Sequence, residues 1–221
     1  QLTVFQRNPN WCVPQHNGRI SKDEMHGIRV RYPEILALCR RTPSCYIHGP
    51  DPRGTFEATP EERAALWEKR YAEPGFGLWQ ANFRDTLTDR AANALASEFI
   101  ANKIRSRVHD PVVAERLIPK NHGFGTRRPP LENGYYEVFN QRNVELVDIN
   151  ETPIERVTAG GIQTSRREYE LDIIIYATGF DAITGAFDRI DIRGVDEVRL
   201  KDVWANGPHT YLGVFVKDFP H

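Results

Sequence analysis

Arg127 and Arg128 stand inside His122-Gly123-Phe124-Gly125-Thr126-Arg127-Arg128-Pro129-Pro130. The glycines let the backbone approach a ligand closely and the prolines stiffen the exit, so the pair makes a rigid grip for an anion. A solvated basic turn is the plainer reading of the same residues. Arg7 ends the β-rich run Leu2-Thr3-Val4-Phe5-Gln6, just before the turn residues Asn8-Pro9-Asn10. In a dinucleotide-binding half-domain an arginine there receives the 2′-phosphate of NADP; as a loop cation it needs no ligand. A third stretch, Ile173-Ile174-Ile175-Tyr176-Ala177-Thr178-Gly179, is an apolar β-branched run followed by small residues. It predicts a strand buried on both faces and a tight turn at its carboxyl end, where open α/β sheets bind ligands.

These residues need a scaffold, and the sequence marks one. Ser21-Lys22-Asp23-Glu24 and Thr59-Pro60-Glu61-Glu62 have capping-box spacing, the second with proline at the first helical position, so helices start at both. Leu95, Phe99, Lys103 and Arg107 share one helical row and Ile100, Ile104 and Val108 another. Asp110-Pro111 ends that helix and opens a short one through Leu117. Residues from Ser21 to about Leu117 therefore read as helical, jointed at Thr42-Pro43, Gly49-Pro50-Asp51-Pro52 and Pro74-Gly75-Phe76-Gly77. Phe76, Trp79 and Phe83 read as core, with a substrate pocket as the lesser option. Further on, Asn133–Asn140 predicts a short helix, Val144–Asp148 a strand, Ile154–Thr158 with Gly161–Thr164 a hairpin, and Tyr211–Val216 another strand. His48, His109, His122 and His209 lack metal-ligand spacing and read as loop or surface residues.

Composition narrows the class. The 221 residues carry a net charge of -1 with 40% hydrophobic and 27% charged residues, a globular balance that argues against a general polyanion binder such as a nucleic-acid protein. No apolar run reaches the roughly 20 residues that span a bilayer. Cys12, Cys39 and Cys45 form no Cys-x-x-Cys pair, so neither a disulfide framework nor a zinc site is indicated, and a reducing, cytoplasmic setting is expected. No Gly-x-Gly-x-x-Gly occurs, and the chain opens directly on a strand-like run without methionine. A fragment is expected, with any such fingerprint upstream of Gln1.

Three separated blocks then fall together: Leu2-Thr3-Val4-Phe5-Gln6-Arg7 with Pro9; Phe124-Gly125-Thr126-Arg127-Arg128 through Tyr135-Tyr136 to Phe139-Asn140; and Ala177-Thr178-Gly179-Phe180-Asp181-Ala182. Asp191-Ile192-Arg193-Gly194, Leu200-Lys201-Asp202, Trp204, Gly207-Pro208 and Tyr211-Leu212-Gly213 continue the pattern. In this order and spacing the chain resembles an internal stretch of the Baeyer–Villiger flavin monooxygenases, nearest to the phenylacetone monooxygenase type. The resemblance implies an α/β fold, part of a flavoprotein with two Rossmann-like dinucleotide-binding domains and a helical insertion. Residues 1–19 would end the first half of the NADP domain, 20–123 form the insertion, 124–176 the second half, and 177–221 a linker and partial FAD domain.

The same resemblance implies FAD and NADPH as cofactors, O2 and a ketone as substrates, the remaining segments of the same enzyme as partners, and an ester or lactone as product. Arg128 matches the catalytic arginine beside the flavin, where a fixed cation favours the deprotonated C4a-peroxide and steadies the tetrahedral adduct. Arg7 and Arg127 match the groups that grip the 2′-phosphate. Asn8 stands where the family usually has Thr, and Arg127 where it usually has Lys. Thr178, Gly179 and Asp181 match the linker between nucleotide domains, close to cofactor. Alone, the segment is expected to be inactive. The competing expectations are an N- or S-oxygenating flavin monooxygenase or related pyridine-nucleotide flavin oxidoreductase, and a helical interaction module without cofactor.

Overall fold

Val144-Glu145-Leu146-Val147-Asp148 does form a strand in the computed structural model, which describes residues 1–182 and 184–220. In chain order the elements are β1 (Leu2–Gln6), β2 (Val13–Pro14), α1 (Lys22–Val30), α2 (Tyr32–Arg41), α3 (Pro60–Ala72), α4 (Gly77–Gln80), α5 (Arg90–Arg107) and α6 (Pro111–Leu117). Next come β3 (Leu131–Glu132), α7 (Tyr135–Val138), β4 (Val144–Asp148), β5 (Ile154–Val157), β6 (Gly161–Thr164), β7 (Glu168–Glu170) and α8 (Leu200–Val203). The chain separates into two compact units, Gln1–Tyr169 and Glu170–His221.

In the first unit β1 runs parallel to β4, from Leu2 opposite Val144 to Gln6 opposite Asp148, and β2 runs parallel to β3. Strands β5 and β6 form the expected antiparallel hairpin, extended by β7. Between β2 and β3 lie α1 to α6 with non-helical joints, and both marked starts hold. Ser21 and Thr59 accept from the backbone N–H of Glu24 and Glu62, and those glutamates reach back to the cap N–H groups. Each such box stabilises its helix by about 1 kcal/mol.

The core forms where α5 meets its neighbours. Ile100 and Ile104 are buried with Val108, as their shared row requires, against Trp67, Leu117, Phe124 and Tyr136. The adjacent row is aromatic and cationic: Lys103 lies 5.1 Å from the Tyr71 ring centre and 5.3 Å from that of Phe99, and Arg107 lies 5.0 Å over Tyr136. Phe83 is core as expected. By contrast, α1 and α2 bury no residue, and Val30, Tyr32 and Leu36 are exposed.

The second unit corrects two expectations. Residues 171–182 form no strand; Ile173 and Ile175 are 78% and 85% exposed. A buried strand needs backbone partners on both sides as well as an apolar run, and among the described residues nothing pairs with this one. Tyr211–Val216 is a turn closed by an isolated Tyr211–Phe215 bridge, because Leu212 and Gly213 take left-handed φ values of 55° and 72° that no strand accommodates. Short turns around α8 and a Phe187–Trp204 edge-to-face contact at 5.5 Å hold the remainder.

Candidate functional site: an arginine-bearing loop laced to a strand end

Arg7 follows directly from β1, and the turn after β4 holds its backbone. Ile149 N–H donates to the Gln6 carbonyl at 3.0 Å, and the Asn150 side-chain amide donates to the Arg7 carbonyl. Asn10 then ties this exit to the glycine-rich loop more than a hundred residues away. Its Oδ1 accepts from Trp11 N–H at 2.9 Å and meets His122 Nε2 at 3.1 Å, while its Nδ2 donates to the Arg128 carbonyl at 3.3 Å. Trp11 Nε1–H donates to the His122 carbonyl at 3.0 Å, and Asn121 Nδ2 donates to Asn8 Oδ1 at 3.4 Å. His122 Nδ1 lies 2.7 Å from Asn121 Oδ1. Burial and the nearby Arg127 cation push the His122 imidazole below its ordinary pKa, so it is neutral at pH 7. Fold topology thus brings Arg7, Asn8, Arg127 and Arg128 onto two loops joined by amides and one imidazole.

The loop itself is braced from behind by helical residues. Phe124 is fully buried; its N–H donates to Ser97 Oγ at 2.9 Å and its carbonyl accepts from Asn93 Nδ2 at 2.8 Å. A Cβ on Gly123 would lie 1.7 Å from Asn93 Oδ1, and one on Gly125 2.7 Å from Trp79 Cδ1. The glycines, expected to admit a ligand, are instead filled by the chain's own α5 and α4 side chains. Gly125 also has φ +76°, and Trp79 Nε1–H donates to its carbonyl at 3.1 Å.

Arg128 is exposed, with its guanidinium carbon 5.1 Å from the Phe76 ring centre. Phe76 meets Trp79 edge-to-face at 5.6 Å and Tyr46 at 6.0 Å. The sequence reading treated Phe76 and Trp79 as core or pocket lining and missed both contacts. Gly75-Phe76-Gly77, an aromatic isolated between glycines, was the one signal available. Among the described residues Arg7, Arg127 and Arg128 have no carboxylate partner, whereas Arg105, Arg107 and Arg116 nearby are all ion-paired. Unpaired guanidiniums on braced loops suit a phosphorylated or otherwise anionic ligand.

Downstream, Pro129 is buried and Val13 N–H donates to the Pro130 carbonyl at 3.1 Å, so the loop exit is fixed by β2–β3 pairing. Glu132 is 7% exposed; its carboxylate accepts from Arg107 at 2.7 Å and from Tyr135 N–H at 2.9 Å. Arg107 also binds Glu137 and donates to the Tyr71 hydroxyl at 3.0 Å. Burial opposes its charge, but the two carboxylates outweigh that and raise its pKa. Cys12, whose N–H donates to the Tyr136 hydroxyl at 3.2 Å, has its thiol pushed up to about 11, chiefly by burial. It is not a nucleophile at neutral pH. Among the described residues no group of three His, Cys, Asp or Glu could hold a metal, and no helix is long and apolar enough to cross a membrane.

Thr178, Gly179 and Asp181 lie in the second unit, all exposed. Gly179 takes φ +86°, although residues 173–182 form no hydrogen-bonded turn, and Asp181 pairs with Arg189 at 2.6 Å.

Parallel strands with cationic loops at their ends are the arrangement of the α/β nucleotide-binding proteins, and similarity to known proteins narrows the class further. No family model matches the chain. Over its whole length it is 52% identical to the 2-oxo-Delta(3)-4,5,5-trimethylcyclopentenylacetyl-CoA monooxygenase of Pseudomonas putida, and 43% identical to the cyclopentanone 1,2-monooxygenase of Comamonas. It spans 41% and 40% of those relatives. A crystal structure of OTEMO in complex with FAD and NADP superposes with a TM-score of 0.95 at 52% identity, covering 99% of this chain and 41% of that one. Among its relatives is also the Baeyer-Villiger monooxygenase of Pseudooceanicola batsensis, at 37% identity, and the chain spans about two fifths of the length of the relatives it matches.

Proposed function

We propose that the protein of which this chain is part is an NADPH- and O2-dependent flavoprotein monooxygenase that converts ketones into esters or lactones. The observation that carries this reading is the set of three exposed guanidiniums without carboxylate partners among the described residues, on two loops laced together by Asn10 and His122, in a chain 52% identical to the 2-oxo-Delta(3)-4,5,5-trimethylcyclopentenylacetyl-CoA monooxygenase of Pseudomonas putida. FAD and NADPH fit such residues, because both are anionic. Arg7 and Arg127, with Asn8 as a hydrogen-bonding neighbour, would hold the 2′-phosphate; Thr178, Gly179 and Asp181 would lie along the cofactor. Bound FAD, reduced by NADPH, would supply the activation of O2.

Arg128 contributes a planar guanidinium cation. Its N–H donors would stabilise the negative charge that develops on the ketone oxygen as the carbonyl carbon becomes tetrahedral. The replacement of the family's usual lysine by Arg127 keeps the charge and adds a bidentate donor geometry. In domain terms, 1–19 and 124–176 would be two parts of the NADP domain, 20–123 a helical insertion between them, and 177–221 the entry to the FAD domain.

The test uses the full-length parent and measures ketone-dependent NADPH consumption together with product. Ester or lactone formed in step with NADPH oxidation supports the reading; hydrogen peroxide as sole product with every ketone, or oxygenation of amines but not ketones, overturns it. Arg128→Ala should leave flavin reduction by NADPH largely intact while abolishing ester formation.

A further inference from the structure

The Arg128 guanidinium is held in place without being neutralised. Its partner is the face of Phe76, 5.1 Å away, rather than a carboxylate. An ion pair would occupy two N–H donors and cancel the charge. An aromatic face attracts the cation through its quadrupole and leaves the in-plane donors free. The ring in turn is fixed: Phe76 caps α4, its carbonyl accepting from Trp79 N–H at 3.1 Å and Gln80 N–H at 2.9 Å. Trp79 and Tyr46 each meet the ring edge-to-face. Trp79 also locks the carbonyl of Gly125, three residues before Arg128. Helix-borne aromatics therefore brace both the loop backbone and the charged group at its tip.

We propose that Phe76, backed by Trp79 and Tyr46, is the positioning residue of Arg128, seating its guanidinium so that the N–H donors stay available to an anion. This rests on the reading of Arg128 given above. It assigns to the helical segment a part in orienting the charge, separate from any lining of a ketone site.

The experiment uses the full-length parent with 15N-labelled arginine, the Arg128 Nε–H resonance being assigned by its disappearance in Arg128→Lys. A ring beneath the guanidinium shifts that resonance by its ring current. Phe76→Leu, which keeps an apolar side chain of similar bulk, should move the resonance to the position of a free arginine. It should also lower ketone turnover by roughly two- to five-fold, the worth of an exposed cation–π contact, with the KM for NADPH unchanged. Phe76→Trp, which keeps a ring face, should retain a shifted resonance and near-normal turnover. An Arg128 resonance indifferent to Phe76→Leu, or equal losses in the leucine and tryptophan variants, overturns the seat. If Arg128→Ala still made ester, the role given to Arg128 would fall, while the resonance would still report on the seat.

Discussion

Arg127 and Arg7 are exposed cations without a carboxylate partner among the described residues, and removing either should cost binding to NADPH rather than folding. An arginine–phosphate contact contributes roughly 1.5–3 kcal/mol, so Arg127→Ala in the full-length parent should raise the KM for NADPH by about ten- to a hundred-fold and leave that for NADH nearly unchanged. Steady-state kinetics with both coenzymes reads the ratio, and equal changes for both would refute a 2′-phosphate contact. Gly125 makes the opposite kind of demand. Its φ of +76° and the 2.7 Å approach of Trp79 to an added Cβ mean that Gly125→Ala combines backbone strain with overpacking, about 2–4 kcal/mol together. Denaturant unfolding should show that loss. These glycines were legible in the sequence as special positions, but their neighbours Asn93 and Trp79 were not, because nothing local tells which distant side chain fills the space.

At the scale of elements, the joint between α5, β3 and α7 is electrostatic. Arg107 at the end of α5 binds Glu132 of β3 and Glu137 of α7, and the Glu132 side chain is only 5% exposed. Arg107→Ala strands that carboxylate in the interior and should destabilise the unit by about 3–5 kcal/mol, measured by urea unfolding. Arg107→Met with Glu132→Leu should be milder, since no buried charge is then left alone. The sign with pH is fixed by Glu137, whose carboxyl Arg107 holds below the ordinary range. A lowered carboxylate pKa adds stability above the unfolded-state pKa, and that share fades as the pH falls toward the folded-state value. The wild type should therefore lose more stability on acidification than the double variant does. The capping boxes, the α5 rows and the β5–β6 hairpin were readable because period and cap chemistry are local. The Arg107 clamp was not, since its partners lie 25 and 30 residues on.

At the scale of the whole chain, the second unit carries an apolar stretch that stands exposed among the described residues. Ile173, Ile175, Tyr176 and Phe180 are 78%, 85%, 69% and 101% exposed. β-branched residues in an unpaired, extended segment promote association between chains. The 221-residue chain by itself should self-associate in a concentration-dependent way, and Ile175→Lys should reduce its light scattering several-fold at equal concentration. Scattering that the lysine leaves unchanged would show that this stretch does not drive association.

Chemically unusual residues and helical runs were readable from the order of residues alone: two capping boxes, an arginine pair between glycines and prolines, and a matching pattern of separated blocks. The caps and the arginine pair follow from local covalent geometry, side-chain chemistry and periodicity; the block pattern is a resemblance to a known family. The contact of Asn10 with the Arg128 carbonyl across 118 positions, the filling of the glycines by Trp79 and Asn93, and the exposure of Ile173 and Ile175 emerge only once the chain is folded. Each of these depends on which distant backbone arrives beside the residue. A buried strand or a braced loop is a relation between segments, and no single segment encodes it.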